Sequence, residues 1–150
     1  MSNVAAVRVI VSIFREFELA SRDGAMTLPQ YRLLLFLRRG PRRAGELAAM
    51  VEVKKPTLTP LIAALEELGW VERATDDADR RSAHLSLTAA GSAAMDAMEA
   101  RLGAVVARLT PAGKTAEVEA AMLALGEGLI ATQEQRFEWL RGDLVDAPFP

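Results

Sequence analysis

The sequence predicts a mainly α-helical chain carrying one small antiparallel β-hairpin, and three patterns lead there. Apolar residues recur at helical spacing over most of the chain. Residues 70–73 and 83–87 alternate as short strands on either side of the polar stretch Thr75-Asp76-Asp77-Ala78-Asp79-Arg80-Arg81-Ser82. Between residues 44 and 69 two short amphipathic stretches flank a tight turn at Glu52-Val53. Helix, turn, helix and charged hairpin, in that order, is the layout of a winged helix-turn-helix. The expectation is therefore mainly α, a winged helix-turn-helix with a small antiparallel β-wing.

The first helix carries one stripe at Val4, Val7, Val11 and Phe14 and a second at Ala6, Val9, Ile13 and Phe17. Such a helix is apolar over too much of its circumference for a single contact, so one side should meet its own core and the other a partner subunit. Gly24 breaks the run. Thr27-Leu28-Pro29-Gln30 then reads as a threonine N-cap, a proline at the first helical position and a glutamine placed to close a capping box. This second helix should run to about Arg39 and end at Gly40-Pro41. A basic link through Arg43 leads into a third helix with Leu47, Ala48 and Val51 on its apolar side.

In the fourth helix Leu58, Leu61, Ile62, Leu65 and Leu68 form the inward stripe, and Gly69 supplies a left-handed C-cap. Lys55, Pro56, Thr59, Pro60, Ala63 and Glu67 face outward. Pro60 leaves two starts open: a helix from Pro56 with an irregular turn, or a helix from Pro60 capped by Thr59. Thr88 caps a long fifth helix with Ala94, Met98, Leu102, Val105 and Leu109 in one stripe and alanines on neighbouring faces. Thr110-Pro111 repeats the cap-and-proline signal for a sixth helix bearing Val118, Met122, Leu125 and Leu129, weakened at Gly126 and Gly128. Residues 137–150 carry Trp139, Leu140, Leu144 and Phe149, apolar enough to dock, and are closed by proline-rich sequence.

Composition removes several functions. The 150 residues include no cysteine and one histidine, which excludes disulfides, thiolate chemistry and a Cys/His metal site, and no cofactor is expected. The apolar stretch 4–14 is interrupted by Arg8 and Ser12 and is too short to span a bilayer; with no targeting signal, a cytoplasmic protein without membrane association is expected. Enzyme chemistry has little to stand on. Glu66 and Glu67 point about 100° apart on a helix and cannot face one substrate atom together. His84 has no sequence-local acid or cysteine to form a relay, and there is no glycine-rich phosphate loop.

Net charge is −2, too low for a protein that coats nucleic acid by bulk attraction, so the distribution of charge matters more. Residues 1–55 hold ten Lys or Arg against five Asp or Glu, whereas residues 96–150 hold five against nine. Arg38, Arg39, Arg42, Arg43, Lys54 and Lys55 form the basic concentration, which reads either as a nucleic-acid footprint or as solvated surface.

The segments ELAAMVEVKKPTLTPLIAALEELGWVER and DADRRSAHLSLTAAG resemble the multiple-antibiotic-resistance regulator (MarR) family, closely over about residues 27–110. The resemblance implies a single winged-helix domain over 1–150. Residues 27–90 would form the DNA-binding lobe and the helices in 1–22 and 89–140 the dimerisation region. It also implies a homodimeric transcription regulator of double-stranded DNA, a repressor rather than an activator. The wing pattern Asp76, Asp79 and Arg81 is the specific part. TLTPLI is similar to the hydroperoxide-sensing branch, which senses through cysteine; this chain has none, so that mode is excluded.

The implied DNA-binding residues are Arg43, Lys54, Lys55, Thr57, Thr59, Pro60, Ala63, Arg73, Asp79, Arg80 and Arg81. Arg81, with Arg80, would place a guanidinium in the minor groove, where narrow A·T-rich segments concentrate negative potential. The other reading is a solvated turn in which Asp79 pairs locally. Lys54, Lys55 and Thr57 would hold phosphates at a helix start, unless they serve only as ordinary capping. Thr59, Pro60 and Ala63 would face bases where many relatives present arginine or glutamine. No bidentate guanine contact is available from them, so the operator should be an A·T-leaning inverted repeat with half-sites about one helical turn apart. Relatives bind small aromatic or anionic effectors in a crevice beside the dimer region; Phe14, Phe17, Tyr31, Arg32 and Phe36 lie on the helices that would line it, and equally fit as plain core and surface. A winged-helix module used only for protein contacts is the alternative function.

Overall fold

The computed structural model describes the backbone of residues 3–51, 55–76 and 79–141, and the side chains of 4–51, 56–74, 83–129, 131 and 132. The elements run α1 (Asn3–Arg22), α2 (Leu28–Leu37), β1 (Arg42–Arg43), α3 (Ala44–Met50), α4 (Lys55–Glu67), β2 (Val71–Asp76), β3 (Asp79–Leu87), α5 (Ala89–Leu109) and α6 (Thr115–Arg141). The three strands form one antiparallel sheet in the order β1-β3-β2. The chain divides into two compact units, Met1–Val105 and Val106–Pro150.

The core of the first unit is built from one side of each short element. Leu33, Leu34 and Leu37 come from α2, Leu47 and Ala48 from α3, and Leu58, Ile62 and Leu65 from α4. Trp70, Val71 and Leu85 come from the sheet side and Met95 and Met98 from α5; all are buried together. Each large apolar side chain withdrawn from water contributes about 1.5–3 kcal/mol, which is what orients the amphipathic helices. The expected stripe on α4 holds at Leu58, Ile62 and Leu65 and fails at Leu68, which is 47% exposed because the helix has already ended. Met95, not part of the expected α5 stripe, is fully buried, while Leu109 at the end of that stripe is exposed.

The helix ends explain much of the path. Thr27 and Gln30 form the reciprocal capping box: Gln30 N–H donates to Thr27 Oγ1 and Thr27 N–H donates to Gln30 Oε1 at 2.8 Å. Pro29 takes the second helical position rather than the first. At the end of α4, Trp70 N–H bonds to Leu65 O and Gly69 N–H to Glu66 O, with Gly69 at φ 68°. That is a Schellman turn, for which a left-handed residue is needed. Thr88 Oγ1 accepts from Gly91 N–H at 3.0 Å and donates to Gly69 O at 2.6 Å, so the cap of α5 is tied to the end of α4.

Three expectations are corrected and one open alternative is decided. The basic link is a third strand, β1, pairing Arg42 with Leu85 and Arg43 with His84. The wing strands consume most of the expected polar loop: β2 continues to Asp76, β3 starts at Asp79, and a register irregularity falls between Thr75 and Asp76. Helix α4 is continuous from Lys55 with Pro60 inside it, which deprives the Pro56 carbonyl of its intrahelical donor on an exposed face.

Thr110-Pro111, the third of the corrections, does not start α6. Thr110 N–H and Oγ1 both donate to Val106 O, closing the preceding helix. The chain turns through Gly113 at φ 76°, and Val118 N–H bonds to Lys114 O as α6 begins. Helix α6 then runs past Gly126 and Gly128 to Arg141, taking in Phe137, Trp139 and Leu140; residues 142–150 lie outside the described residues.

In α1 the stripe Val4, Val7, Val11 and Phe14 is exposed, while Ala6, Ile13 and Phe17 are half-buried. In α6, Met122, Leu123, Leu125 and Leu129 are exposed. No described helix is long and apolar enough to cross a membrane.

Candidate nucleic-acid interface

Helix α4 has two unlike sides. Its inward residues are sealed in the core, while Pro56, Thr57, Thr59, Pro60 and Ala63 are all exposed. Between residues 56 and 63 the exposed side is uncharged and free of long side chains, and the exposed Glu67 closes it at the C-terminal end. Closely approaching surfaces tolerate such residues, and the threonines add hydroxyl groups that can reach a base edge or a phosphate. Lys55 opens the helix backbone, its side chain outside the described set; Lys54 and the expected turn Glu52-Val53 lie outside the described residues altogether.

The β2–β3 ribbon follows α4 directly through the Gly69 turn. Val71 pairs with Leu87, Arg73 with Leu85, Ala74 with His84 and Thr75 with Ala83, so the ribbon's base is locked by a regular ladder. Asp79, Arg80 and Arg81 belong to the first part of β3; the sheet places their backbone, and their side chains lie outside the described set.

Arg43 is exposed and stands at the start of α3, where its N–H donates to Glu46 Oε2 at 2.8 Å. Its backbone thus serves as the helix cap while its side chain faces solvent. Beside it, Arg42 has a buried Nε with no hydrogen-bond partner. Burial, and then the charge of Arg42, lowers the Arg39 guanidinium below its ordinary value. This corner is a concentration of positive charge.

Two arginines of the basic region are committed elsewhere. Arg38 donates from Nη1 to Glu99 Oε1 at 2.7 Å and from Nη2 to Asp96 Oδ1 at 2.5 Å, bridging α2 to α5. Those acids, Asp96 first through its hydrogen bond, raise the Arg38 guanidinium above its ordinary value. Arg73, counted among the DNA-binding residues, donates from Nε to Glu66 Oε1 at 3.0 Å and from Nη2 to Glu66 Oε2 at 3.4 Å. Neither arrangement carries a sequence-local signal beyond the presence of an acid somewhere else in the chain.

The residues expected to line an effector crevice have different surroundings. Tyr31 is half-buried and donates its hydroxyl to Glu99 Oε1 at 3.1 Å. Burial first, then that hydrogen bond and the Glu99 charge, push the phenol up to about 12, with Arg38 acting in the opposite sense. Phe36 packs against the core, Phe17 is half-buried, and Phe14 and Arg32 are exposed. A groove of about 420 Å³ lies elsewhere, between the end of α2 and the start of α5, with Arg38, Pro41, Ser86, Thr88 and Ser92 on its walls. His84 is half-buried on β3 opposite Arg43 and Ala74. Among the described residues no group of three acids or histidines is placed to hold a metal ion.

Residues 26–82, covering α2 through the first part of β3, match the MarR family. No curated protein sequence matches the chain as a relative. Three solved structures are similar over most of their length. The transcriptional repressor CouR bound to a 23-mer DNA duplex is 25% identical, with TM-score 0.68, covering 86% of this chain and 92% of that one. The transcriptional regulator Tm0710 of Thermotoga maritima is 27% identical, with TM-score 0.59, covering 89% and 97%. The multiple antibiotic resistance repressor MarR is 22% identical, with TM-score 0.70, covering 86% and 95%, and that likeness speaks to the fold.

Proposed function

We propose, starting from the match of residues 26–82 to the MarR family, that the chain is a DNA-binding transcription regulator of that family that holds an inverted-repeat operator as a homodimer and acts as a repressor. The observation that carries this reading is the division of α4 into a sealed apolar side and an open side of small residues, followed at once by a two-stranded ribbon. A helix with one free face fits the major groove, and a ribbon beside it reaches the neighbouring minor groove. A CouR structure with a similar fold is bound to duplex DNA, which supports the partner class.

Thr57, Thr59, Pro60 and Ala63 meet the bases and adjoining phosphates; Arg43, Lys54 and Lys55 neutralise the backbone at the edge of the helix pair. Arg80 and Arg81 enter the minor groove, with Asp79 orienting them. Base reading from such a face is shallow: thymine methyl contacts and a threonine hydrogen bond replace bidentate guanine recognition, and DNA shape supplies the rest. The second copy covers apolar surface that α1 leaves exposed at Val4, Val7, Val11 and Phe14 and α6 at Met122, Leu125 and Leu129. Exposed apolar stripes on two long helices support a homodimer and are costly to leave in water.

Control by a small aromatic or anionic effector would act through Phe14, Phe17, Tyr31, Arg32 and Phe36, and such a ligand must prefer the DNA-incompetent form, since one indifferent to the two forms shifts nothing. Enzyme chemistry finds no support in Glu66, whose carboxylate is occupied by Arg73. Sequencing the duplexes that the purified protein retains from a random pool tests the function. An A·T-leaning inverted repeat with half-sites about one helical turn apart is expected. Guanines invariant at half-site centres would contradict the shallow reading, and no enrichment would favour a module for protein contacts.

A further inference from the structure

The two hydrogen bonds between Arg73 and Glu66 join the last turn of α4 to the third residue of β2, across the Gly69 turn. The geometry is a fork on a fork, Nε to one carboxylate oxygen and Nη2 to the other, which fixes orientation as well as distance. Both side chains are only partly exposed, 45% for Arg73 and 30% for Glu66. A guanidinium in this state has its charge matched by its own protein and two of its five N–H donors engaged, which weakens its pull on a phosphate. Its location is what makes it useful: the pair bridges the Gly69 turn through which the ribbon follows the helix, adding a side-chain tie to the backbone bonds made there.

We propose that Arg73 is a positioning residue rather than a DNA contact: the Glu66–Arg73 pair fixes the angle between the α4 helix and the wing, and so sets whether both reach their grooves in register. This rests on the DNA-binding reading above. Holding two insertions at one angle before binding removes an ordering cost from the specific complex, whereas loose, charge-driven binding to an arbitrary duplex does not need that angle. The pair therefore acts on specificity. It adds little to folding, because a partly exposed ion pair is screened by water, and variants at either position keep the fold.

The test compares the wild type with Arg73→Ala, Glu66→Gln and the charge swap Glu66→Arg/Arg73→Glu, using the selected operator and a scrambled duplex over a range of salt. Arg73→Ala and Glu66→Gln weaken operator binding about tenfold, the scale on which contacting residues couple, and leave scrambled-duplex binding and the salt slope unchanged. The swap recovers most of the loss. A slope reduced by about 0.9 in Arg73→Ala, with both duplexes weakened alike, identifies a phosphate contact and overturns the proposal; so does unchanged operator affinity.

A second readout needs no DNA. The chain has no cysteine, so spin labels on cysteines introduced at the exposed positions Ala63 and Ala74, in labelled protein diluted into an excess of unlabelled protein to suppress pairs across a dimer, report the helix-to-wing distance. The distance distribution broadens in Arg73→Ala and narrows again in the swap; an unaltered distribution overturns the proposal. Wild-type protein that binds no duplex while this broadening is seen would refute the DNA-binding reading and leave the hinge assignment standing.

Discussion

The carbonyl oxygen of Trp70 lies so close over Gly91 that a Cβ at position 91 would stand 2.3 Å from it and 2.7 Å from Leu87 Cδ1. The same carbonyl accepts the Thr88 N–H at 3.0 Å, so the end of α4, the start of the wing and the start of α5 are drawn into one junction. Backbone cannot yield as a flexible side chain would. Gly91→Ala should cost on the order of 1–3 kcal/mol, the usual range for overpacking a dense interior, read as a lower urea midpoint. An unchanged midpoint would mean that the junction is looser than this geometry.

Tyr31 offers a titration without overlap, because it is the chain's one tyrosine. Burial and the hydrogen bond to Glu99 push its phenol from 10.0 up to about 12. The folded value lies above the unfolded one, so the associated stabilisation is present in full below pH 10 and is lost as the pH rises through about 12. Tyrosinate absorbance of the native protein should reach half-development near the upper value and return to the lower one in denaturant. Glu99→Gln should move the native midpoint down only part of the way, since burial is the largest cause. A native midpoint at the ordinary value would remove the Tyr31–Glu99 contact from the account.

Arg38 should be silent toward DNA. Its two terminal nitrogens are held by Asp96 and Glu99, so Arg38→Ala should leave the salt dependence of duplex binding where it was, with only a small change in melting temperature. A shallower slope would show that one or both acids release it to the phosphates.

Arg81→Ala should weaken operator binding by on the order of 1–3 kcal/mol, the range for an arginine that reads a groove, while melting temperature and dimer mass stay nearly the same. Unaltered binding in that variant would take the wing out of the mechanism.

What could be read from the sequence was local and reciprocal. The Thr27 and Gln30 capping box, the Gly69 C-cap, the Thr88 cap, and the Leu58, Ile62 and Leu65 part of the stripe are each written in neighbouring residues, and each appears as expected. Thr110-Pro111 imitated Thr27 but has Gly113 where Thr27 has Gln30, so the reciprocal bond has no acceptor and the threonine closes a helix instead of opening one.

Strand β1 was illegible because Arg42 and Arg43 have no strand-like pattern; their pairing is imposed by Leu85 and His84, some forty residues on. The charged residues 79–82 read as loop for the same reason, since cross-strand pairing satisfies the backbone whatever the side chains are. At the interface, the open side of α4 followed from periodicity. The commitments of Arg38 and Arg73 did not, because a basic run shows charge and conceals the acids that the fold brings to it.

The most direct measurement for the whole account is the affinity of the purified protein for its selected duplex as a function of salt. A protein that neutralises several phosphates with Arg43, Lys54, Lys55, Arg80 and Arg81 in each of two subunits should show log K falling linearly with log salt, by about 0.9 for every phosphate engaged. A line with almost no slope would contradict DNA binding by this surface.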